Sequence, residues 1–224
     1  GTLDVTVVEC GVEMRVLATG GVPIGGDLLD RRIVEARMLR HFGEGATYSR
    51  ARLPVPRHLL ARVLDWQTLF LLNRPEELRV IDEILAGASH PRELRNLRTL
   101  VTRNYGAALF RAVERGKQEL SGSGHTRITL TAEEIDIAET LTREEFEGII
   151  RRQHDAVRDT VLECVRDTAL DPEQVRCVVT TGGSSRIPMF RRTLKALFPL
   201  AELVEQDAFT SVAAGLALAG FQRA

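Results

Sequence analysis

Strand patterns occur near the two ends of this sequence, and the long stretch between them is mostly helical in pattern. Residues 2–9 (TLDVTVVE) and 14–20 (MRVLATG) are rich in β-branched residues, which predicts a hairpin with its turn at Gly11. Residues 175–183 (VRCVVTTGG) predict a buried strand that ends in a glycine pair. Terminal strands around a helical middle predict one α/β domain that carries a large, mostly helical insertion.

Net charge argues against two classes of partner. The 224 residues include 30 basic and 31 acidic side chains, with a net charge of −1 and no block of like charge. Binding to nucleic acid or to an anionic membrane surface needs an excess basic patch. The longest apolar stretches are also shorter than the roughly 20 residues that span a bilayer. We therefore expect neither a nucleic acid nor a membrane as partner.

The cysteines and histidines indicate a reducing compartment and no metal centre. Cys10, Cys164 and Cys177 form no CxxC pair, and this odd number without a disulfide framework predicts a cytoplasmic protein. The five histidines lie far apart in the sequence, without the spacing of metal ligands. The sequence opens inside a strand pattern with no initiator methionine, so we expect a piece of a longer protein.

A glycine pair precedes the first predicted helix. Gly25 and Gly26 stand before Asp27, which we expect to be the helix N-cap. Apolar residues then recur at helical spacing, which predicts one amphipathic helix. These apolar residues are Leu28, Leu29, Ile33, Val34 and Met38. Residues 43–56 are turn-forming and predict a loop.

The rest of the chain predicts further helices around one hairpin. Residues 58–120 are helical in pattern, with breaks near 73–75 and 89–91. Residues 126–141 predict a hairpin, and Thr142 begins a capping-box pattern for one long helix through about residue 168. Two more helices are predicted after the last strand, the second of them over 209–221.

Three glycine turns could approach a phosphate. They are Gly1-Thr2-x-Asp4, Gly25-Gly26-Asp27 and Gly182-Gly183-Ser184. Glycine allows backbone N–H groups to approach an anion without a Cβ in the way. The patterns of a Walker A loop, a GxGxxG loop and a GxSxG elbow are all absent. Taken alone, each turn is a weak signal, because glycine pairs mostly serve ordinary tight turns.

One predicted helix carries a second group of polar residues that could bind a ligand. Glu114, Lys117 and Ser121 are spaced i, i+3 and i+7, so they share one helical face. A carboxylate, an ammonium and a hydroxyl on one stripe can bind a polyhydroxyl group such as ribose. The alternative is a solvated face with an ordinary Glu–Lys pair. Lys117 and Lys195 are the only lysines in the sequence.

The order of these motifs resembles the nucleotide-binding domain of the DnaK-type, seventy-kilodalton heat-shock chaperones. The motifs are GTLDVT, VLATGGVPIGGDLLDRRIV, ERGKQELS, VVTTGGSSRIPMF and SVAAGLALAG. The resemblance covers the second lobe of that domain, beginning inside its D-x-G-G-G-T-x-D loop. Residues 207–213 read DAFTSVA where the family has NPDEAVA. With the enlarged helical middle, this is most similar to the short YegD-like branch.

The resemblance implies an actin-like ATPase fold, which is ribonuclease H-like. Residues 1–25 and 142–224 would form the ATPase lobe, a sheet with flanking helices. Residues 26–141 would form an inserted, mostly helical cap subdomain.

The resemblance also implies roles at the phosphates. Gly1 and Thr2 would contact the terminal phosphates, and Asp4 would hold Mg²⁺ through water. Thr2 and Asp4 would be the catalytic residues of this lobe. The turn at Gly25 and Gly26 would contribute to the same nucleotide site.

Further implied roles concern the nucleoside. Glu114 and Lys117 would bind the ribose hydroxyls, and Ser121 would lie at the adenine edge. Gln118 occupies a position where the family commonly has an arginine that stacks on adenine, so base binding is expected to be weaker. The remaining nucleoside contacts would be Gly182, Gly183 and Ser184 beneath the nucleoside, and Arg186 and Ile187 at the base.

The function implied by the resemblance is binding of ATP or ADP with Mg²⁺ by one lobe of a chaperone ATPase, inactive alone. Its partners would be the nucleotide, a first lobe of its own chain, and a co-chaperone or client protein. Two alternatives remain. One is an interaction module whose nucleotide site has decayed, and the other is part of a sugar or acetate kinase with an actin-like fold.

Overall fold

A computed structural model describes residues 1–11 and 13–206 of the chain. The chain divides into two compact units. The first unit is Gly1–Gly26 with Ile150–Ala224, and the second unit is Asp27–Ile149. The helix predicted over 209–221 lies outside the described residues.

The described chain contains eight strands and eight α-helices. The strands are β1 (Leu3–Cys10), β2 (Met14–Val22), β3 (Thr47–Tyr48), β4 (Leu53–Pro54), β5 (His125–Ala132), β6 (Ile135–Thr142), β7 (Cys177–Thr181) and β8 (Glu202–Gln206). The α-helices are α1 (Gly26–Ile33), α2 (Arg57–Val63), α3 (Pro75–Ala86), α4 (Pro91–Thr102), α5 (Gly106–Gly122), α6 (Arg143–Ile149), α7 (Arg151–Arg166) and α8 (Pro188–Leu197). Val34–Met38 forms a π-helix, and 3₁₀ turns occupy Leu39–Phe42, Leu69–Asn73, Pro172–Gln174 and Gly183–Arg186.

The first unit packs α7 and α8 with two pairs of strands. The predicted hairpin is confirmed, because β1 and β2 pair antiparallel. β7 and β8 pair parallel, with α8 between them in the chain, and β8 was not predicted from the sequence. Val161 and Val165 of α7 form a buried cluster with Phe198. Val5 and Val7 of β1 pack against this cluster, so alternate residues of the strand face the helix.

The α7 helix also holds the one buried cysteine of the described residues. A Cβ at Gly20 would lie 3.2 Å from Cys164 Sγ, which shows how closely α7 approaches β2. Burial, with a smaller contribution from Asp167, raises the pKa of the Cys164 thiol. Cys10 and Cys177 are exposed.

The second unit surrounds the β5–β6 hairpin with helices. This hairpin was predicted over residues 126–141, and the structure confirms it. Every second residue of β6 is buried, as expected for a strand with one covered face. α5 lies against β5, where a Cβ at Gly116 would come within 2.7 Å of the Ile128 side chain. Glycine at position 116 therefore sets the close spacing of α5 and β5.

The helix that follows Gly25 differs from its prediction at both ends. α1 begins at Gly26, and Asp27 lies inside its first turn, so the predicted N-cap role of Asp27 is wrong. α1 ends at Ile33 and continues as the π-helix and a 3₁₀ turn. The two apolar pairs Ile33-Val34 and Met38-Leu39 are all buried. The wider π turn allows adjacent residues of each pair to face the core, which a regular helical stripe does not.

Prolines and a capping box define the other helix ends. α3 begins at Pro75 and α4 at Pro91, which confirms both predicted breaks. The capping box at Thr142 is confirmed, because its N–H donates to Glu145 Oε2 (2.8 Å) and its Oγ1 accepts from the Glu145 N–H (3.2 Å). The single helix predicted from Thr142 is wrong. Ile150 has φ −95° and ψ 7°, and it separates α6 from α7.

A buried carboxylate fixes the π-helix and the adjacent 3₁₀ turn to β6. Glu139 is 3% exposed and accepts hydrogen bonds from Arg37 (2.9 Å), Arg40 and His41 (3.0 Å). Burial alone would raise the pKa of the Glu139 carboxyl. The hydrogen bonds from Arg40, His41 and Arg37 outweigh burial and lower this pKa to about 2. Glu139 is therefore charged and paired at neutral pH.

We predict that Glu139→Gln lowers the free energy of unfolding at pH 7 by about 3 kcal/mol. The lowering of the Glu139 pKa from 4.5 to about 2 corresponds to this value at 1.36 kcal/mol per unit. Because the folded-state pKa is the lower one, the contribution is complete above pH 4.5 and is lost as the pH falls toward 2. Urea denaturation of the wild type and the variant across this pH range measures the contribution of Glu139 to the free energy of unfolding.

The matched control is Glu144→Gln, which removes an exposed carboxylate from α6. It should change the unfolding free energy by less than about 0.5 kcal/mol. Equal stability of Glu139→Gln and wild type at neutral pH would contradict the role assigned to the cluster.

Candidate functional site

The structure brings two of the predicted glycine turns together. A Cβ added to Gly25 would lie 2.7 Å from both the Cα and the carbonyl carbon of Gly1. No side chain larger than hydrogen fits at position 25 without displacing the backbone at position 1. The start of β1 and the residues before α1 therefore approach each other as bare backbone.

Thr2 and Asp4 form a small polar group beside these glycines. Thr2 Oγ1 donates to Asp4 Oδ2 at 2.9 Å, and both residues are exposed. A Cβ at Gly21 would lie 2.8 Å from Asp4 Oδ1, so β2 also passes close to this carboxylate. An oriented, solvent-exposed carboxylate is suited to hold a hydrated divalent cation. No group of three or more His, Cys, Asp or Glu side chains that could bind a metal directly occurs within the described ranges.

The third glycine turn follows the carboxyl end of β7. Gly182 has φ 86° and ψ 159°, a conformation that is essentially restricted to glycine. The turn is fixed by Ser185, whose Oγ donates to the Gly182 carbonyl at 2.7 Å. Apart from the glycine itself and its neighbours in the chain, no described atom lies within 4 Å of a Cβ built at Gly182 or Gly183. Within the described part of the chain, the space beside this turn is therefore unoccupied.

The two residues predicted at the base have different environments. Arg186 is exposed, and its Nε donates to Glu205 Oε1 at 2.7 Å. The other oxygen of Glu205 accepts from Arg191 at 2.8 Å. Ile187 is buried, at 2% exposure. A contact of Arg186 or Ile187 with a base stays a prediction.

The predicted ribose group lies on α5, as its spacing required. Glu114, Lys117 and Ser121 all fall within this helix, and Gln118 Nε2 donates to Glu114 Oε1 at 3.4 Å. Glu114 and Gln118 are exposed, whereas the Lys117 side chain is only 11% exposed. Lys117 is therefore not part of an ordinary solvated face.

The residue that sequence reasoning missed is Asp30 of α1. Lys117 Nζ donates to Asp30 Oδ2 at 2.8 Å, and Asp30 is 5% exposed. Burial raises the pKa of the Asp30 carboxyl to about 6, although Lys117 lowers it, and the negative charges of Glu114 and Asp27 raise it further. The sequence contained one indication that Asp30 is buried. Asp30 precedes Ile33 by three residues and therefore shares the buried face of α1.

The predicted site residues are divided between the two units. Glu114, Lys117, Gln118 and Ser121 belong to the second unit. The three glycine turns, with Arg186 and Ile187, belong to the first unit. That all of them contact one ligand stays a prediction.

We predict that Gly182→Ala and Gly183→Ala affect stability differently. Alanine at position 182 must adopt a strained backbone conformation and should lower the free energy of unfolding by about 1–3 kcal/mol. Alanine at position 183 meets no described atom apart from its neighbours in the chain and should be close to neutral. Urea denaturation of the two variants provides the comparison, and equal destabilisation by both would contradict the described geometry of the turn.

A family model described as Hsp70 protein matches residues 98–221, more than half of the chain. The matched region contains α5, with Lys117, and the turn from Gly182 to Arg186.

No helix of the described residues is long and apolar enough to cross a membrane.

Two curated relatives show the same similarity. Heat shock 70 kDa protein 2 of Paracoccidioides lutzii is 32% identical over 113 residues, covering 50% of this chain and 15% of that protein. Chaperone protein dnaK1 of Prochlorococcus marinus subsp. pastoris is 36% identical over 97 residues, covering 41% of this chain and 15% of that protein. The alignments thus span a small part of each relative's length.

Proposed function

The chain belongs to the Hsp70 family, and on that premise we propose that it is a nucleotide-binding lobe of a chaperone ATPase, which binds ATP or ADP with Mg²⁺. The observation that carries this proposal is the family match over residues 98–221, which includes both α5 and the open glycine turn at 182–183. Membership of the family implies an actin-like ATPase fold, in agreement with the mixed α/β structure. We assign the first unit to the second lobe of that fold and the second unit to its cap.

The residues present fit the phosphate end of such a ligand. Gly1 and Gly25 approach each other as bare backbone, and glycine allows an anion to approach the main chain without a Cβ in the way. Thr2 orients the Asp4 carboxylate, which would hold Mg²⁺ through its water ligands. Bound Mg²⁺ would neutralise phosphate charge during transfer to water.

In this proposal, residues of α5 and of the turn after β7 would hold the nucleoside. Lys117 and Glu114 would bind the ribose hydroxyls, with Ser121 at the adenine edge. Gly182, Gly183 and Ser184 would pass beneath the nucleoside. Support comes from the absence of any described atom, apart from the glycine itself and its neighbours in the chain, within 4 Å of a Cβ at Gly182 or Gly183.

Binding of the base is proposed to be weak. Gln118 stands where the resemblance implies a stacking arginine, and it donates to Glu114 instead. Arg186 would have to stack on adenine while its guanidinium is paired with Glu205. A cation over an aromatic face contributes about 0.5–2 kcal/mol, so the loss of one such contact is measurable.

Partners and compartment follow from the same resemblance. We propose that a first lobe supplies the opposing phosphate contacts, that a co-chaperone or client protein binds the intact protein, and that the protein works in the cytoplasm. The YegD-like branch is the proposed subgroup, on the basis of the DAFTSVA segment at 207–213 and the large helical middle.

The second candidate is an interaction module with a decayed nucleotide site. The observations that favour it are Gln118 in place of arginine and the engagement of Arg186 by Glu205. The family match favours the chaperone proposal over a sugar or acetate kinase.

We predict that Lys117→Ala weakens ADP binding by about 1–2 kcal/mol, which is the effect of removing a hydrogen bond to a charged group. Calorimetric titration of the native protein with Mg-ADP measures the affinity. The matched control is Lys195→Ala, which removes the only other lysine, an exposed residue of α8. Equal affinities of the two variants would contradict the site, and no binding by wild type at millimolar ADP would favour the interaction module.

We also predict that residues 1–224 by themselves release no phosphate from Mg-ATP above background. Phosphoryl transfer requires charges positioned on both sides of the phosphate, and the resemblance assigns only Thr2 and Asp4 here. Phosphate release by this stretch is compared with release by the native protein containing a first lobe, where slow magnesium-dependent hydrolysis is expected. Equal turnover by both would contradict the two-lobe requirement.

A further inference from the structure

The pair formed by Lys117 and Asp30 has features that a simple surface ion pair lacks. The side chains are 11% and 7% exposed, and their charged atoms are 2.8 Å apart. The two residues come from α5 and α1, which are far apart in the sequence. Lys117 is consequently held in one position by a partner that cannot move without displacing α1.

Burying this ion pair has a free-energy cost that stabilisation of the fold alone does not explain. The second oxygen of Asp30, Oδ1, is buried without a hydrogen-bond partner among the described residues. Burial raises the pKa of the carboxyl to about 6, so the charged form is less favourable in the folded state than in water, although it still predominates at neutral pH. A buried ion pair with an unsatisfied acceptor is weak evidence for stability, and such groups concentrate at functional sites.

The geometry points to Asp30 as the positioning residue for Lys117, through which the site distinguishes ribonucleotides from nucleotides without ribose hydroxyls. This inference rests on the proposed function, since it assumes that Lys117 contacts ribose. Asp30 accepts from Nζ through Oδ2 and thereby restricts the directions in which the ammonium group can donate. A donor fixed in direction binds a hydroxyl more selectively than a freely rotating lysine, because less side-chain entropy is lost on binding.

Calorimetric titration with ADP and with 2′,3′-dideoxyadenosine diphosphate tests this role in the native protein. Wild type should prefer ADP by about tenfold or more, the effect of a hydrogen bond to a charged group. Asp30→Asn should reduce this preference to about twofold. Asp30→Glu keeps the charge but moves it by one methylene, so it should also reduce the preference.

A double-mutant cycle identifies the residue through which Asp30 acts. If Asp30 works by positioning Lys117, the double variant Asp30→Asn/Lys117→Met should have the same nucleotide preference as Lys117→Met alone. Glu139→Gln is the matched control. It alters another buried, paired carboxylate of the second unit that has different partners, and it should leave the preference unchanged.

Each outcome is decisive for variants that unfold cooperatively in urea. An equal loss of affinity for both nucleotides in Asp30→Asn would indicate a merely structural role and would overturn the inference. Full preference in Asp30→Glu would also overturn it, and this variant decides the question if Asp30→Asn does not fold. Wild type that binds ADP without preferring it contradicts the inference alone, whereas wild type that binds neither nucleotide contradicts the proposed function itself.

Discussion

Two buried carboxylates hold the segment from Gly26 to Phe42 in place, and each acts on a different part of it. Asp30 joins α1 to α5 through Lys117, and Glu139 joins the following π and 3₁₀ turns to β6. A charge removed from water must be paired, so each carboxylate specifies which side chains face it. The pKa values move in opposite directions, to about 6 for Asp30 and about 2 for Glu139, because one cation faces the first and three donors face the second.

Local backbone geometry determines which residues face the core and which segments approach closely. The π-helix directs Ile33, Val34, Met38 and Leu39 into the core while Arg37 remains able to reach Glu139. The first unit uses glycines for the same purpose of close approach, at Gly25. The residue type needed at such a position depends on the segment that packs against it. It therefore cannot be predicted from the local sequence alone.

Sequence patterns predicted most of the elements and fewer of the contacts. The terminal hairpin, the β5–β6 hairpin, the proline-initiated helices and the Thr142 capping box depend on local signals, and the structure confirms them. The π-helix and the break at Ile150 depend on packing between distant segments, and they were missed. At the candidate site, the spacing of Glu114, Lys117 and Ser121 predicted one shared helix, and all three lie within α5. The partner of Lys117, Asp30, is 87 residues away, beyond the reach of any local pattern.

The placement of the three cysteines provides an intrinsic probe of local opening. Cys10 and Cys177 are exposed, whereas Cys164 lies between α7 and the strands, beside the Val5 carbonyl. Alkylation requires the thiolate, and burial both covers Cys164 and raises its pKa. Modification of Cys164 therefore reports separation of α7 from β1 and β2. Its alkylation rate relative to those of Cys10 and Cys177 measures how often this packing opens, and no substitution is needed.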